Sequence, residues 1–174
     1  MRRLLLFRHA KAAPAAGYDD HERALIERGR RDAARVAAYL AAAGLTPELV
    51  LHSGARRARE TAEIARAAWP RLVEARVEPR LYEASRPAVE AIVRALPDAC
   101  SSVMVVGHNP SLADVANHLV GRGAEFDRLR LSAKFPTASL AALEFDVAHW
   151  REIKPGSAQL TCFATPDDPK VEMA

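Results

Sequence analysis

Short apolar, β-prone runs alternate along this chain with longer segments of helical period, and that alternation restricts the fold more than any other feature. Residues 3–8 read as a first strand ending in Arg8-His9. A loop over residues 10–21 follows, with Pro14, Gly17, Tyr18, Asp19 and Asp20. From about Glu22 to Ala43, the spacing of Ala33, Val36/Ala37 and Leu40 makes one helix face, and Gly44 supplies the C-cap. Leu49-Val50-Leu51-His52 is a second strand, and after Ser53-Gly54 a helix runs from about Arg56 to Ala68, where Pro70 closes it. Residues 72–77 alternate as a third strand, and Ser85 caps a helix with Pro87 in its first turn and Val89, Ile92/Val93 and Leu96 on its buried face. Residues 102–106 are apolar throughout, as suits a strand covered on both faces. Asn109 reads as the N-cap and Pro110 as the first residue of a helix to about Val120, and Gly121-Arg122-Gly123 as a loop. Two late strands are expected near 138–146 and 158–164. The order describes one α/β domain over residues 1–166 with a mostly parallel sheet, followed by a polar tail over 167–174.

Composition narrows the function classes. A chain of 174 residues, 49% hydrophobic and 27% charged, can bury one sizeable core and is not broadly disordered. No apolar run approaches the roughly 20 residues that span a bilayer, so no membrane partner is expected. The opening Met1-Arg2-Arg3-Leu4-Leu5-Leu6-Phe7 imitates a signal peptide, but Arg8, His9 and Lys11 cut it short. Cys100 and Cys162 lack CxxC partners, which fits reduced thiols and a cytoplasmic location. The net charge of +3 invites a nucleic-acid reading. Only Lys11, Lys134, Lys154 and Lys170 of the 25 basic side chains are lysine, however, and no aromatic residues interleave with a basic strip. Nucleic acid is therefore not the expected partner.

The chemistry gathers where the strands end. Ligands of open parallel α/β sheets bind at the carboxyl ends of strands. Here those ends carry Arg8-His9, then Ser53 with Arg56, Arg57 and Arg59 just beyond, then Gly107-His108-Asn109. If the strands are neighbours, two imidazoles and at least two guanidiniums converge, a set suited to a compact dianion such as a phosphoryl group. A neutral imidazole can also attack phosphorus and form a phosphohistidine that water later cleaves, with the cations neutralising the transferred group. The scheme calls for no cofactor and no metal, and neither HExxH nor a DxD after a strand occurs. Other polar clusters point elsewhere. Asp19-Asp20-His21 reads as a turn and helix start rather than a metal site, His52 alternates away from Ser53, His149-Trp150 reads as a strand-edge pair, and the side His118 faces is open.

Four segments in order resemble the histidine phosphatase superfamily, which includes the phosphoglycerate mutases. They are Leu5-Leu6-Phe7-Arg8-His9-Ala10, Leu25-Ile26-Glu27-Arg28-Gly29, the block from Ser53 to Ala62, and Val106-Gly107-His108-Asn109-Pro110. The last is similar to the form found in the SixA-type phosphohistidine phosphatases, and Phe135-Pro136-Thr137-Ala138 extends the likeness. The resemblance implies a three-layer α/β/α sandwich with a mostly parallel mixed sheet, phosphoglycerate mutase-like. It implies His9 as nucleophile and Arg8, Arg57 and His108 as phosphoryl-binding residues. Ser53 is a further pocket candidate or a helix cap, and Asn109 a pocket candidate or the cap of its helix. Leu81-Tyr82-Glu83 resembles the segment where mutase relatives place a proton-donating glutamate, so Glu83 is either the general acid or a solvated loop carboxylate. The chain departs from the family where Ala10 replaces glycine, Gly54 proline and Glu60 glutamine, while Lys11 adds a charge at the pocket mouth.

The expected function is a metal-independent phosphatase acting through phosphorylated His9, on phosphohistidine presented by a protein. A chain this short has little room for a lid over a small substrate. The alternatives are a phosphatase of small phosphate monoesters, which a functional Glu83 favours because an alkoxide needs a proton as it leaves, and a non-catalytic phosphate-recognition module.

Overall fold

The computed structural model describes residues 1–173 except Ala16 and Tyr18, which fall in the loop expected over 10–21; Ala174 also lies outside the described residues. Seven strands form one sheet: β1 (Arg2–Arg8), β2 (Leu49–His52), β3 (Glu74–Val77), β4 (Ser102–Gly107), β5 (Val120–Gly123), β6 (Leu140–Phe145) and β7 (Ala158–Ala164). Their order is β3-β2-β4-β1-β6-β7-β5. Pairing is parallel from β3 to β1 and between β5 and β7, while β6 runs antiparallel to both its neighbours.

Strand alternation divides the core into two layers. Leu4 and Leu6 of β1 join Val103 and Val105 of β4 on the face covered by α3 (Arg86–Arg94) and α4 (Ser111–Leu119). Leu5 and Phe7 join Met104 and Val106 on the opposite face, under α1 (Glu27–Ala42) and α2 (Arg56–Ala67). All four β1 side chains are fully buried, each contributing roughly 1.5–3 kcal/mol before the entropy of ordering is subtracted. The result is the expected three-layer α/β/α sandwich. No helix among the described residues is long and apolar enough to cross a membrane.

Local rules explain most boundaries. The Ser85 hydroxyl accepts from the Ala88 N–H at 3.4 Å, capping α3. The first helix begins later than its periodicity suggests, because Leu25 bridges Ala12 and keeps that stretch extended; Asp20–Glu22 is instead a separate 3-10 turn. Gly29 lets α1 lie on the chain beside the pocket, since a Cβ there would meet the Lys11 carbonyl oxygen at 2.1 Å.

Three expectations are corrected. Asn109 does not cap α4: its side-chain amide donates to the Phe135 carbonyl at 2.9 Å, and the helix starts at Ser111 after Pro110. The Gly121-Arg122-Gly123 loop is edge strand β5, where a Cβ at Gly121 would collide with the Gly156 carbonyl at 1.9 Å. Those glycines permit a close backbone approach rather than a turn. His149-Trp150 lies not on a strand edge but at the start of a 3-10 turn, with Trp150 fully buried and its indole N–H donating to the Cys100 carbonyl. Two short helices, α5 (Glu125–Ala133) and α6 (Pro169–Glu172), complete the chain, and α6 packs Val171 into the α1 face.

Candidate active site

Sheet register brings the chemistry together. Arg8 on β1 pairs with Gly107 on β4, and His52 on β2 pairs with Val106, so the three strands end level. His9, Ser53 and His108 each follow a strand by one residue and therefore share one edge. Arg57 reaches them from the first turn of α2. A cavity of about 410 Å³ opens there, and its lining includes Arg8, His9, Arg57, His108 and Asn109.

Arg57 is the hub. It is 5% exposed, and its Nε donates to His9 Nε2 at 3.3 Å. One Nη donates to the backbone carbonyl of Asp20 at 2.7 Å, and the other reaches both Asp20 Oδ2 at 3.1 Å and His108 Nδ1 at 3.4 Å. These contacts assign both tautomers. His9 Nδ1–H donates to the Ala10 carbonyl at 2.8 Å, leaving Nε2 as a lone-pair acceptor facing Arg57. His108 Nδ1 accepts from Arg57, so its Nε2–H donates to Ser53 Oγ at 2.6 Å. Ser53 thus holds the second imidazole and is not a helix cap, because α2 begins at Arg56 with no side-chain cap.

Burial, reinforced by the charges of His108, Arg57 and Arg8, pushes His9 down to about 3. Burial and then Arg57 push His108 down to about 4, against the opposing pull of Asp20. Both rings are therefore neutral near pH 7, the state nucleophilic attack requires. Burial also lowers the Arg8 pKa, and Arg8 Nε is buried with no hydrogen-bond partner among the described residues. A buried orphan donor on a cation is costly unless an acceptor is meant to arrive. The Phe135 carbonyl accepts from both Arg8 Nη1 at 2.8 Å and Asn109 Nδ2, so Asn109 shares an anchor with Arg8.

The family departures now have physical accounts. Ala10 is fully buried, and its N–H donates to Thr61 Oγ1 at 3.0 Å, so this backbone is tied to α2 and has room for a methyl group. Glu60 accepts from the Leu25 N–H at 2.8 Å and pairs with Arg30 and Arg56, tying the start of α1 to α2. Of the three arginines after Ser53, only Arg57 lines the cavity; Arg56 pairs with Glu60 and Arg59 with Glu63. Lys11 and Glu83 stand exposed at the mouth. Glu83 sits at φ 51° and Ala138 at φ 57°, left-handed conformations that cost a non-glycine residue roughly 1–2 kcal/mol. Both flank the cavity, the second through a bond from its N–H to the His9 carbonyl. His52 keeps away from the pocket and accepts from the Gly54 N–H. His118 faces Glu90 between α3 and α4.

The sequence reading missed the residues that close the pocket from the far side. Asp20 accepts from Arg57, from the Tyr82 hydroxyl at 2.7 Å and from Arg23 at 2.9 Å. The Tyr82 bond, backed by Arg57 and Arg23, holds its carboxyl down at about 2. Arg23, Tyr82 and Thr137 line the same cavity. Only proximity to named residues signalled them: Asp20 lay in an acidic turn, and Tyr82 beside Glu83. Among the described residues, no three His, Cys, Asp or Glu side chains assemble as a metal site. A second cavity of about 390 Å³ between α4 and α5 holds one carboxylate, Glu125, one guanidinium, Arg128, and no imidazole.

Residues 4–90 match the family described as the histidine phosphatase superfamily (branch 1). An uncharacterized protein of Mycobacterium tuberculosis is 36% identical over 162 residues, spanning 91% of this chain and 99% of that protein. A solved structure from Agrobacterium tumefaciens, assigned as a phosphohistidine phosphatase SixA, is similar with a TM-score of 0.80 and 30% identity, covering 95% of this chain and 98% of that one. Another, from Nakamurella multipartitia and assigned likewise, has a TM-score of 0.80 at 27% identity, covering 96% and 97%.

Proposed function

This chain belongs to the histidine phosphatase superfamily and is a histidine-type phosphatase, and we propose that it removes the phosphoryl group from phosphohistidine carried on a protein, through a phosphorylated His9 and without a metal ion. The observation that carries the reading is the His9 ring itself, with Nδ1–H held by the Ala10 carbonyl and the Nε2 lone pair turned toward the pocket, where it accepts only a long 3.3 Å contact from Arg57.

In the first step the Nε2 lone pair attacks phosphorus, a P–Nε2 bond forms, and the substrate P–N bond breaks. Its electron pair returns to the departing nitrogen, and a substrate ring already protonated at its other nitrogen leaves as neutral imidazole with no general acid from the enzyme. Arg57 and Arg8 Nε, which has no partner among the described residues, donate hydrogen bonds to the transferred oxygens, with His108 steadied by Ser53. In the second step water attacks phosphorus, the P–Nε2 bond breaks back onto His9, and the water proton leaves with phosphate or solvent. Guanidinium charge does the neutralising work that a metal would do elsewhere. The likeness to the Agrobacterium protein supports phosphohistidine as the substrate class, and so does an acid-independent leaving group.

One observation favours small phosphate monoesters as a second reading: Glu83 lines the cavity and is exposed at its mouth. A carboxylic acid at that position could protonate an alkoxide.

The test incubates the protein, with EDTA present, with a phosphohistidine-bearing protein and with an aryl phosphate. Wild type should release phosphate from the first, and His9→Ala should lower the rate by roughly 10³-fold or more. Glu83→Gln should leave that rate within about twofold; a loss confined to the aryl ester makes Glu83 the acid for esters. No turnover of either substrate, with phosphate still bound by His9→Ala, replaces the enzyme with a recognition module.

A further inference from the structure

We propose that Asp20 sets how weakly the pocket holds a bare phosphoryl group, by competing with it for Arg57. The inference rests on the reading of this pocket as the phosphoryl site. The Arg57 Nη that faces His108 is also the one engaged by Asp20 Oδ2, at 3.1 Å. A phosphoryl oxygen seated between His9 and His108 draws on the same guanidinium that Asp20 engages. The carboxylate cannot simply drift off, because Tyr82 donates to the same oxygen at 2.7 Å and Arg23 holds the other at 2.9 Å. A fixed negative charge therefore stands beside an incoming dianion and opposes it.

Asp20 has a second contact with Arg57 that separates charge from positioning. The other Nη donates to the Asp20 backbone carbonyl at 2.7 Å, and Nε stays on His9. Replacing the carboxylate by an amide leaves both anchors and the side-chain shape, removes the charge, and exchanges one accepting oxygen for an NH2 group. The Asp20 side chain is 45% exposed, so solvent screens the repulsion to a modest size.

The consequence is selectivity. Inorganic phosphate is the product, and it carries the same group as the substrate. A pocket of unopposed guanidiniums would retain it. A protein-borne phosphohistidine adds contacts outside the pocket and can bear the lowered affinity, whereas free phosphate cannot.

Inorganic phosphate binding is measured by calorimetric titration at neutral pH on full-length wild type, Asp20→Asn and Tyr82→Phe, alongside phosphate inhibition of turnover. Asp20→Asn should bind phosphate about five- to tenfold more tightly. Its KM for the phosphoprotein should fall while kcat does not rise, and the gain should shrink with added salt. Tyr82→Phe keeps the charge and the Arg23 contact and should tighten binding by clearly less than Asp20→Asn does. Damage to the fold cannot produce a gain in affinity. Weaker or unchanged binding by Asp20→Asn would mean that Asp20 only positions Arg57, and overturns the proposal. Equal tightening by Tyr82→Phe would assign the effect to the loop tether rather than to the charge, and overturns it as well. If folded wild type binds no phosphate at all, the phosphoryl reading itself fails, an outcome distinct from the other two.

Discussion

Two clusters of histidine, arginine and carboxylate sit on this sheet, and they are finished differently. Between α3 and α4, Glu90 is 3% exposed and every oxygen has a partner: Oε1 accepts from Arg86 and His118, both at 2.7 Å, and Oε2 from Arg94 at 3.1 Å. Burial alone would push the Glu90 pKa up, but those partners outweigh it and the carboxyl ends below its usual range. At the strand ends, Arg8 Nε is buried without a partner among the described residues, two imidazoles are held neutral, and one carboxylate is shared among Arg57, Arg23 and Tyr82. A cluster that closes on itself stabilises; one that leaves a cationic donor open is arranged for an anion that comes and goes.

The sharpest way to break the comparison is at Arg57. Lysine offers one ammonium where the guanidinium reaches His9, His108 and Asp20 together. Arg57→Lys should lower kcat/KM by roughly 10²-fold with the fold intact. Steady-state kinetics with circular dichroism checks this, and a lysine enzyme near the wild-type rate removes Arg57 from its central place. At Glu90 the effects should invert. Glu90→Ala strands three cationic or polar partners and should cost about 2–3 kcal/mol in urea unfolding, while turnover per folded molecule stays unchanged. A catalytic loss there without a stability loss would erase the distinction between the two clusters.

The smallest effect sharpens the difference by pH. His9 and His108 have folded pKa values of about 3 and about 4, below the ordinary 6.5. Their neutral-state stabilisation is therefore fully present above pH 6.5. It is lost as pH falls through that value toward 4, because the unfolded chain takes up protons that the fold refuses. His9→Ala should flatten the fall in melting temperature between pH 7 and 5, worth about 2 kcal/mol at pH 5. An unchanged slope in His9→Ala would mean that the pocket does not hold this imidazole neutral.

The sandwich was legible because its signals are local. A run such as Leu4-Leu5-Leu6-Phe7 feeds both faces of a covered strand, and the Ser85 cap and the α3 stripe each lie within one turn or two. The convergence of the strand-end residues was legible for a related reason. Arg8-His9, Ser53 and Gly107-His108 each follow a strand directly, and parallel register then places them side by side. Short edge elements were harder. β5 carries two glycines that argue for a loop in isolation, and only contact with β7 and Gly156 gives them another use. Asn109 had the local form of a cap, yet its amide found the Phe135 carbonyl 26 residues away.

By itself, then, the sequence determined six of the seven strands, that the sheet is mostly parallel, and which residues stand at the ends of β1, β2 and β4. Tertiary structure alone decided how those residues are held. Asp20 meets Arg57 across 37 residues and Tyr82 across 62, separations that leave no periodicity to read. Tautomers, orphaned donors and shared carboxylates are properties of a packed surrounding, because a proton's position depends on every partner within hydrogen-bond reach and not on chain neighbours.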